Sequence, residues 1–193
     1  MCHPILKDSR LWIFILQIDV DLARETREAN CPFCGAALHR ADYPRKPRGG
    51  PDDLPPDYRS RFSFCCSADG CRRRATPPSV RFLGTKIYLK ALVILLTAMR
   101  QGPTPVGARV LQQMFGASRK TLKRWQAWWQ EIFPRTPFWK SARARFIRAT
   151  EIKVFPWLLL EAFSAQSSLE KFLKLLRFLS PITTRLGLMR QAP

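Results

Sequence analysis

Two pairs of cysteines offer the most specific chemistry in this sequence. Cys31 and Cys34 are separated by two residues and followed by Gly35, whereas Cys66 and Cys71 are separated by four residues. Tight turns at these spacings can direct two thiolates at one metal ion, and a glycine permits the positive φ that such a turn needs. Because two turns supply all four ligands of a tetrahedral site, the sequence predicts a structural Zn²⁺ ion with no open position for a substrate.

Two further residues compete for a place in this site. Cys65 is adjacent to Cys66, and His39 lies between the two pairs. In the alternating run before the second pair, Phe62 and Phe64 would share one face of a strand, and Cys66 continues that phase. We therefore prefer Cys66 to Cys65 as a ligand, with His39 as a further candidate from the intervening segment.

The positive charge is concentrated in the second half of the chain. The formal net charge is +19; residues up to Cys71 include 10 basic and 10 acidic side chains, whereas residues 72–193 include 23 basic and 4 acidic ones. Such an excess favours a polyanionic partner over a small metabolite. We expect double-stranded DNA, with RNA or the ribosome as the alternative, and no small-molecule substrate.

A helix-turn-helix pattern lies within this basic half, in residues 106–133. It predicts a short helix over 106–115, a turn at Gly116 with Ser118 as the cap, and a longer helix to about residue 133. The second helix carries one apolar stripe, formed by Leu122, Trp125, Trp129 and Phe133. The alternative is an ordinary helical bundle whose basic face is solvated.

Exposed cations of the second helix are the predicted DNA contacts. Lys120, Lys123 and Arg124 project away from the apolar stripe near the start of the helix, where side chains of such motifs read base edges. Arg119 flanks them as a phosphate or base contact. Three consecutive arginines beside the second cysteine pair are expected to bind phosphate: Arg72, Arg73 and Arg74.

The sequence contains no recognisable catalytic centre. A nuclease that uses two metal ions needs three carboxylates gathered around magnesium. After the last cysteine there is no aspartate, and the four glutamates fall in or near predicted helices: Glu131, Glu151, Glu161 and Glu170. Phosphate-binding loops and the motifs of dinucleotide-binding, serine hydrolase and zinc protease sites are absent as well. We therefore expect no enzymatic activity.

The apolar pattern predicts the elements that position these residues. We expect a mainly α protein with a small β zinc ribbon, in which a helical bundle contains the helix-turn-helix. A strand is predicted at 58–65, further helices at 86–100, 136–148 and 155–179, and an exposed loop at 44–56, inserted in the ribbon. The predicted divisions are a helical lead-in at 1–30, a zinc ribbon at 31–76 with its Pro/Gly-rich loop at 44–56, a helix-turn-helix domain at 77–150 and a C-terminal helical segment at 151–193.

Apolar runs in this sequence are too short for a membrane span, which needs about 20 residues. No secretory signal is evident either. We expect a cytoplasmic, nucleoid-associated protein whose cysteines stay reduced and free to bind a metal.

Several segments resemble bacterial insertion-sequence transposases. CPFCG at 31–35, RFSFCC at 61–66 and FGASRKTLKRW at 115–125 are similar to the N-terminal DNA-binding part of these proteins, where a zinc ribbon precedes a helix-turn-helix. LHRADYPRKPRGGP, CRRRATPPSVRFLG and WWQEIFPRTPFW look like segments of a group of bacterial proteins labelled transposase-like. The likeness covers roughly residues 20–180.

This resemblance implies both a site and a role. It implies that the zinc ligands are Cys31, Cys34, Cys66 and Cys71, and that the helix beginning at Arg119 is the recognition helix. A transposon-associated DNA-binding protein, or a transcriptional regulator derived from one, is the implied function. A second copy of the chain or a transposase is the implied protein partner, and the alternative function is the DNA-binding subunit of an active transposase.

Overall fold

Helices dominate the fold, and strands are confined to small antiparallel sheets. The computed structural model describes residues 4–83, 88–97, 109, 113, 116–146 and 155–184. About 53% of the residues are helical and about 11% are in strands, so the predicted class, mainly α with a small β part, is confirmed. The first helix of the predicted helix-turn-helix, at 106–115, lies outside the described residues except for positions 109 and 113. No described helix is long and apolar enough to cross a membrane.

Helix α1, Ser9–Glu28, forms most of the predicted lead-in. The Asp8 carboxylate accepts a hydrogen bond from the Arg10 backbone N–H at 3.0 Å, which caps the first turn. One face of the helix is buried, through residues that include Leu11, Trp12, Ile15 and Leu22. These side chains belong to the same apolar core as the helices of the second half of the chain. We call α1 together with those later helices the helical body.

Five short strands form the ribbon between α1 and the later helices. They are β1 Leu38–Arg40, β2 Tyr43–Pro44, β3 Ser60–Arg61, β4 Phe64–Cys66 and β5 Arg74–Ala75. In one antiparallel sheet β4 lies between β1 and β5, and in the other β2 pairs with β3. Residues 45–59, which include most of the Pro/Gly-rich loop, join β2 to β3 as an insertion in a long hairpin.

The strand predicted at 58–65 is interrupted in the structure. Its first two residues belong to a 3-10 turn, Pro56–Arg59, and the extended backbone is then interrupted between β3 and β4. At the break the Asp42 carboxylate accepts a hydrogen bond from the Ser63 backbone N–H at 3.0 Å. A side chain thus replaces a backbone partner, which an alternating pattern of apolar residues cannot reveal.

Five further α-helices have described bounds after the ribbon. They are α2 Lys90–Thr97, α3 Arg119–Ala127, α4 Pro137–Ala142, α5 Trp157–Glu161 and α6 Ser168–Phe178. Hydroxyl groups of Ser118, Thr136 and Ser167 cap α3, α4 and α6 by accepting a backbone N–H from the first turn. The segment predicted as helical over 155–179 therefore contains two helices.

The predicted recognition helix is regular only as far as Ala127. A π-helical turn, Trp128–Ile132, follows, and in it the Phe133 N–H bonds to the carbonyl of the residue five positions back. Trp129 and Phe133 both remain buried, with ring centroids 4.9 Å apart. The burial predicted for the apolar stripe of this helix is confirmed for all four members: Leu122, Trp125, Trp129 and Phe133.

A buried ionic cluster connects α1 to the segment after the ribbon. Asp19 is 1% exposed, and its carboxylate accepts hydrogen bonds from Arg81 Nε at 2.7 Å, from the Ser79 hydroxyl at 2.6 Å and from the Val80 N–H at 2.6 Å. Nearby, Lys90 Nζ donates to the Ser79 carbonyl at 2.5 Å. Burial lowers the pKa of Lys90 to about 7. The buried carboxylate of Asp19 is thus paired with the buried guanidinium of Arg81.

Candidate metal centre and basic surface

The first cysteine turn follows directly on α1. Asn30 and Gly35 bracket it, with positive φ angles of 59° and 75°. The Gly35 N–H donates to the Cys31 carbonyl at 2.9 Å, and the Cys31 N–H donates to the Ala36 carbonyl at 2.9 Å. These bonds fold the backbone around Cys31 and Cys34, as the glycine predicted.

The second cysteine turn joins β4 to β5. The N–H groups of Cys71 and Arg72 both donate to the Ala68 carbonyl at 3.0 Å, and the Cys66 N–H donates to the Arg73 carbonyl at 3.0 Å. The positive φ of this turn, 46°, belongs to Arg72, which directly follows the second cysteine as Gly35 does in the first turn. An arginine thus occupies a backbone conformation that glycine adopts more easily.

Replacing Arg72 with glycine is expected to raise the free energy of unfolding by about 1 kcal/mol, because glycine avoids the steric cost of a left-handed backbone. The lost ion pair between Arg72 and Asp69 is 3.3 Å long and highly exposed, so it contributes little. Chemical unfolding of the metal-loaded protein measures the change. Arg73→Gly is the control and should lower stability, since the φ of Arg73 is not positive; a stability loss in both variants would contradict the strain at Arg72.

The four cysteine sulfurs converge on one point. Cys31, Cys34, Cys66 and Cys71 place their Sγ atoms within 4.8 Å of one another, with 3.8 Å between Cys31 and Cys71 and 3.4 Å between Cys34 and Cys66. A disulfide would need about 2.05 Å, so these are four free thiols. Four thiols so arranged could hold one metal ion.

The thiols in this cluster differ in their acidity. Burial, with contributions from the neighbouring thiols, raises the pKa of Cys66 to about 12. Burial acts in the same direction on Cys31, but hydrogen bonds from backbone N–H groups of Phe33 and Cys34 and from the thiols of Cys34 and Cys66 lower its pKa to about 7. A metal ion bound by all four sulfurs would therefore displace protons from the cluster.

The two alternative ligands lie outside the cluster. In the register of β1 and β4, Leu38 is opposite Cys66, whereas His39 is opposite Cys65. Neighbouring residues of a strand point to opposite faces, so Cys65 and His39 share the other face of the sheet. The Cys65 thiol lies 3.5 Å from the Arg72 carbonyl, and His39 is exposed.

Little apolar packing supports this part of the chain. The ribbon core consists of five buried residues: Cys31, Leu38, Phe64, Cys66 and Ala75. Two of them are cysteines of the cluster. A core of this size is too small to stabilise a fold unaided, and small domains of this kind depend on a metal or disulfides.

Arginines after the second cysteine pair make different contacts. Arg74 donates to the Ala41 carbonyl at 2.7 Å and to the Ser63 hydroxyl at 2.9 Å, which ties it to the sheet. The guanidinium of Arg73 lies over the ring of Phe33, 4.7 Å from its centroid. All three predicted phosphate contacts are exposed: Arg72, Arg73 and Arg74.

The outer face of α3 is cationic. Arg119, Lys120, Lys123 and Arg124 are exposed, while Leu122 and Trp125 on the opposite face are buried. Within the described part of the chain, no carboxylate oxygen lies within 4.0 Å of these four cations. Their charge is therefore available to an external anion.

Contact with Tyr88, which lies two residues before α2, fixes the position of this face. The rings of Tyr88 and Trp125 meet edge to face with centroids 4.9 Å apart. The Tyr88 hydroxyl donates to the Gly116 carbonyl at 2.7 Å, and Gly116 has a positive φ of 64°, as expected for the predicted turn. The start of α3 is thus held by both its cap and its neighbour.

Two groups of residues important to this architecture were not identified from the sequence. One is the buried cluster around Asp19, and the other is the pair formed by Phe33 and Arg73.

A scan against family models, a search of curated proteins and a search of solved structures gave no match for this chain. The resemblance to bacterial transposases therefore stays a prediction.

Proposed function

We propose that this protein is a zinc-containing, double-stranded DNA-binding protein without a catalytic centre, associated with a transposon or acting as a regulator derived from a transposase. The observation that carries the proposal is the outer face of α3, where Arg119, Lys120, Lys123 and Arg124 are exposed and unpaired among the described residues. A cytoplasmic, nucleoid-associated location and a second copy of the chain or a transposase as partner belong to the same proposal.

The geometry of the four cysteines fits zinc. A Zn–S bond is about 2.3 Å long, so sulfurs at the corners of a tetrahedron lie about 3.8 Å apart. Two of the six separations, 3.8 Å and 3.4 Å, are close to this value, and all four sulfurs lie within 4.8 Å of one another. Four soft thiolate ligands suit zinc and disfavour magnesium or calcium, which bind oxygen. With all four positions taken by Cys31, Cys34, Cys66 and Cys71, the ion would be structural.

The shape of α3 suits a DNA groove. Its buried side rests on the helical body, its N-terminus is capped by Ser118, and its cations lie within the first two turns. Side chains in this part of a recognition helix contact base edges, while surrounding lysines and arginines neutralise phosphates. The surplus of 23 basic over 4 acidic residues in 72–193 supports a polyanionic partner.

The distribution of carboxylates supports a non-catalytic role. Glu161 pairs with Lys171 at 3.4 Å, and Glu170 pairs with Lys174 at 2.9 Å, both at the protein surface. Glu131 is exposed in the π-helical turn. Glu151 lies outside the described residues. No described set of three carboxylates is gathered as a two-metal nuclease site requires.

Lys120→Ala or Arg124→Ala is expected to weaken binding to the preferred duplex by about 1 to 3 kcal/mol and to relax the preference at one base pair. The preferred duplex is first selected from a random pool with the zinc-loaded protein. Lys174→Ala is the matched control, because this exposed lysine is already paired with Glu170 and should leave binding almost unchanged.

Three results would contradict the proposal in different ways. Equal affinity for structured RNA and for duplex DNA, with no base preference, would favour an RNA-binding function. Magnesium-dependent nicking or strand transfer would identify a subunit of an active transposase. Equal losses for Lys120→Ala and Lys174→Ala would exclude α3 as the specific contact surface.

A further inference from the structure

Phe33 is an exposed aromatic residue at the tip of the first cysteine turn. It lies between Cys31 and Cys34 and retains 46% of its accessible surface. A single exposed apolar side chain is common in proteins, so the exposure of Phe33 gains meaning only from its neighbours. Its position is fixed, because the two flanking cysteines belong to the sulfur cluster.

The second cysteine turn supplies a partner for this ring. The Arg73 guanidinium lies over Phe33 with its central carbon 4.7 Å from the ring centroid, which is a cation–π contact. Arg73 itself is exposed, and the adjacent exposed Arg72 carries a second cation. The one carboxylate paired with these arginines among the described residues is Asp69, 3.3 Å from Arg72 and almost fully exposed.

An aromatic ring and a planar guanidinium are the two groups on which proteins stack unpaired bases. In a duplex the faces of each base are covered by its neighbours, whereas a single strand leaves them available. We propose that Phe33 and Arg73 form a stacking site for an unpaired base of single-stranded DNA. Arg72 neutralises the phosphate beside that base. The proposal deepens the DNA-binding function proposed above and rests on it.

The test compares Phe33→Ala with a control of the same type. Phe14 on α1 is 45% exposed, no guanidinium lies over it among the described residues, and it is remote in sequence from the cysteine turns, so Phe14→Ala removes an equally exposed ring. The probes are a labelled oligothymidylate of about 12 nucleotides, the same strand with abasic sites, and a blunt duplex. We expect Phe33→Ala to weaken oligothymidylate binding about tenfold or more, Phe14→Ala to have no effect, and both variants to bind the duplex normally.

The abasic strand separates stacking from charge. It retains the phosphates but offers no base, so wild-type protein should bind it less tightly and Phe33→Ala should cause no further loss. An equal loss on the normal and abasic strands would overturn the proposal in favour of a phosphate contact. Tighter binding to the corresponding RNA strand would overturn DNA as the ligand.

Two further variants distinguish base stacking from a purely structural role of Phe33. Phe33→Trp keeps a ring and should retain affinity, whereas Phe33→Leu keeps apolar packing and should lose it. All variants are required to hold one metal ion per chain before binding is measured; if Phe33→Ala does not, the Trp and Leu pair decides the matter. Equal affinity of these two variants would reject stacking.

The two proposals fail in distinguishable ways. If wild-type protein bound neither duplex nor single strand at moderate salt, DNA binding itself would be wrong. If it bound the duplex and every variant at position 33 bound every probe as wild type does, the stacking site alone would be wrong.

Discussion

Cys66→Ser is expected to abolish stoichiometric metal binding and to unfold the ribbon while the helical body stays folded. In small zinc folds a bound ion contributes about 10 to 16 kcal/mol, and the five-residue ribbon core could not replace a contribution of that size. Metal analysis of the purified protein gives the metal content, and amide resonances of β1 and β4 report the ribbon. Removing the ion from the wild-type protein with a chelator should produce the same change.

Cys65→Ser is the control for this experiment. It alters the neighbouring residue with the same chemistry, but the Cys65 thiol lies outside the four-sulfur cluster. One metal ion per chain and an unchanged ribbon spectrum are expected. Loss of the metal from Cys65→Ser, or its retention by Cys66→Ser, would show that the register of β4 has been assigned incorrectly.

Asp19→Asn is expected to destabilise the helical body by about 3 to 5 kcal/mol. The substitution removes the carboxylate that accepts hydrogen bonds from Arg81 Nε and the Ser79 hydroxyl, and it leaves a fully buried guanidinium without its counter-ion. Because this cluster joins α1 to the segment after the ribbon, its loss should lower the free energy of unfolding of the whole helical body. Chemical denaturation measures the difference.

Asp21→Asn tests whether burial causes this effect. Asp21 is on the same helix, and its ion pair with Arg24 spans 3.1 Å at the surface, with 66% of the arginine side chain exposed. A loss below about 1 kcal/mol is expected. Similar losses in the two variants would indicate a general effect of charge on α1 and would contradict the special role of the buried pair.

The sequence was most informative where the chemistry is local. The spacing of Cys31 and Cys34 before Gly35 predicted a tight turn because the relevant distances span only five residues. The apolar stripe of Leu122, Trp125, Trp129 and Phe133 was predictable for the same reason, since helical periodicity relates residues within a few turns. Even the π-helical turn at 128–132 left that stripe buried.

Local reasoning was weaker where the backbone departs from the regular pattern. Alternation favoured Cys66 over Cys65 but could not decide between them. In the structure the four-sulfur cluster includes Cys66 and not Cys65, because adjacent residues of β4 point to opposite faces of the sheet. In the second turn the positive φ belongs to Arg72, a residue type that does not by itself indicate such a conformation.

The local features of this protein follow from its sequence: four thiols in two turns, a strongly basic second half and amphipathic helices. Tertiary structure alone decided that Asp19 is buried against Arg81 and that Phe33 meets Arg73, since these pairs are 62 and 40 residues apart. Periodicity records which face of an element is apolar. It does not record which distant side chain will lie opposite a given residue, because that depends on how the elements pack.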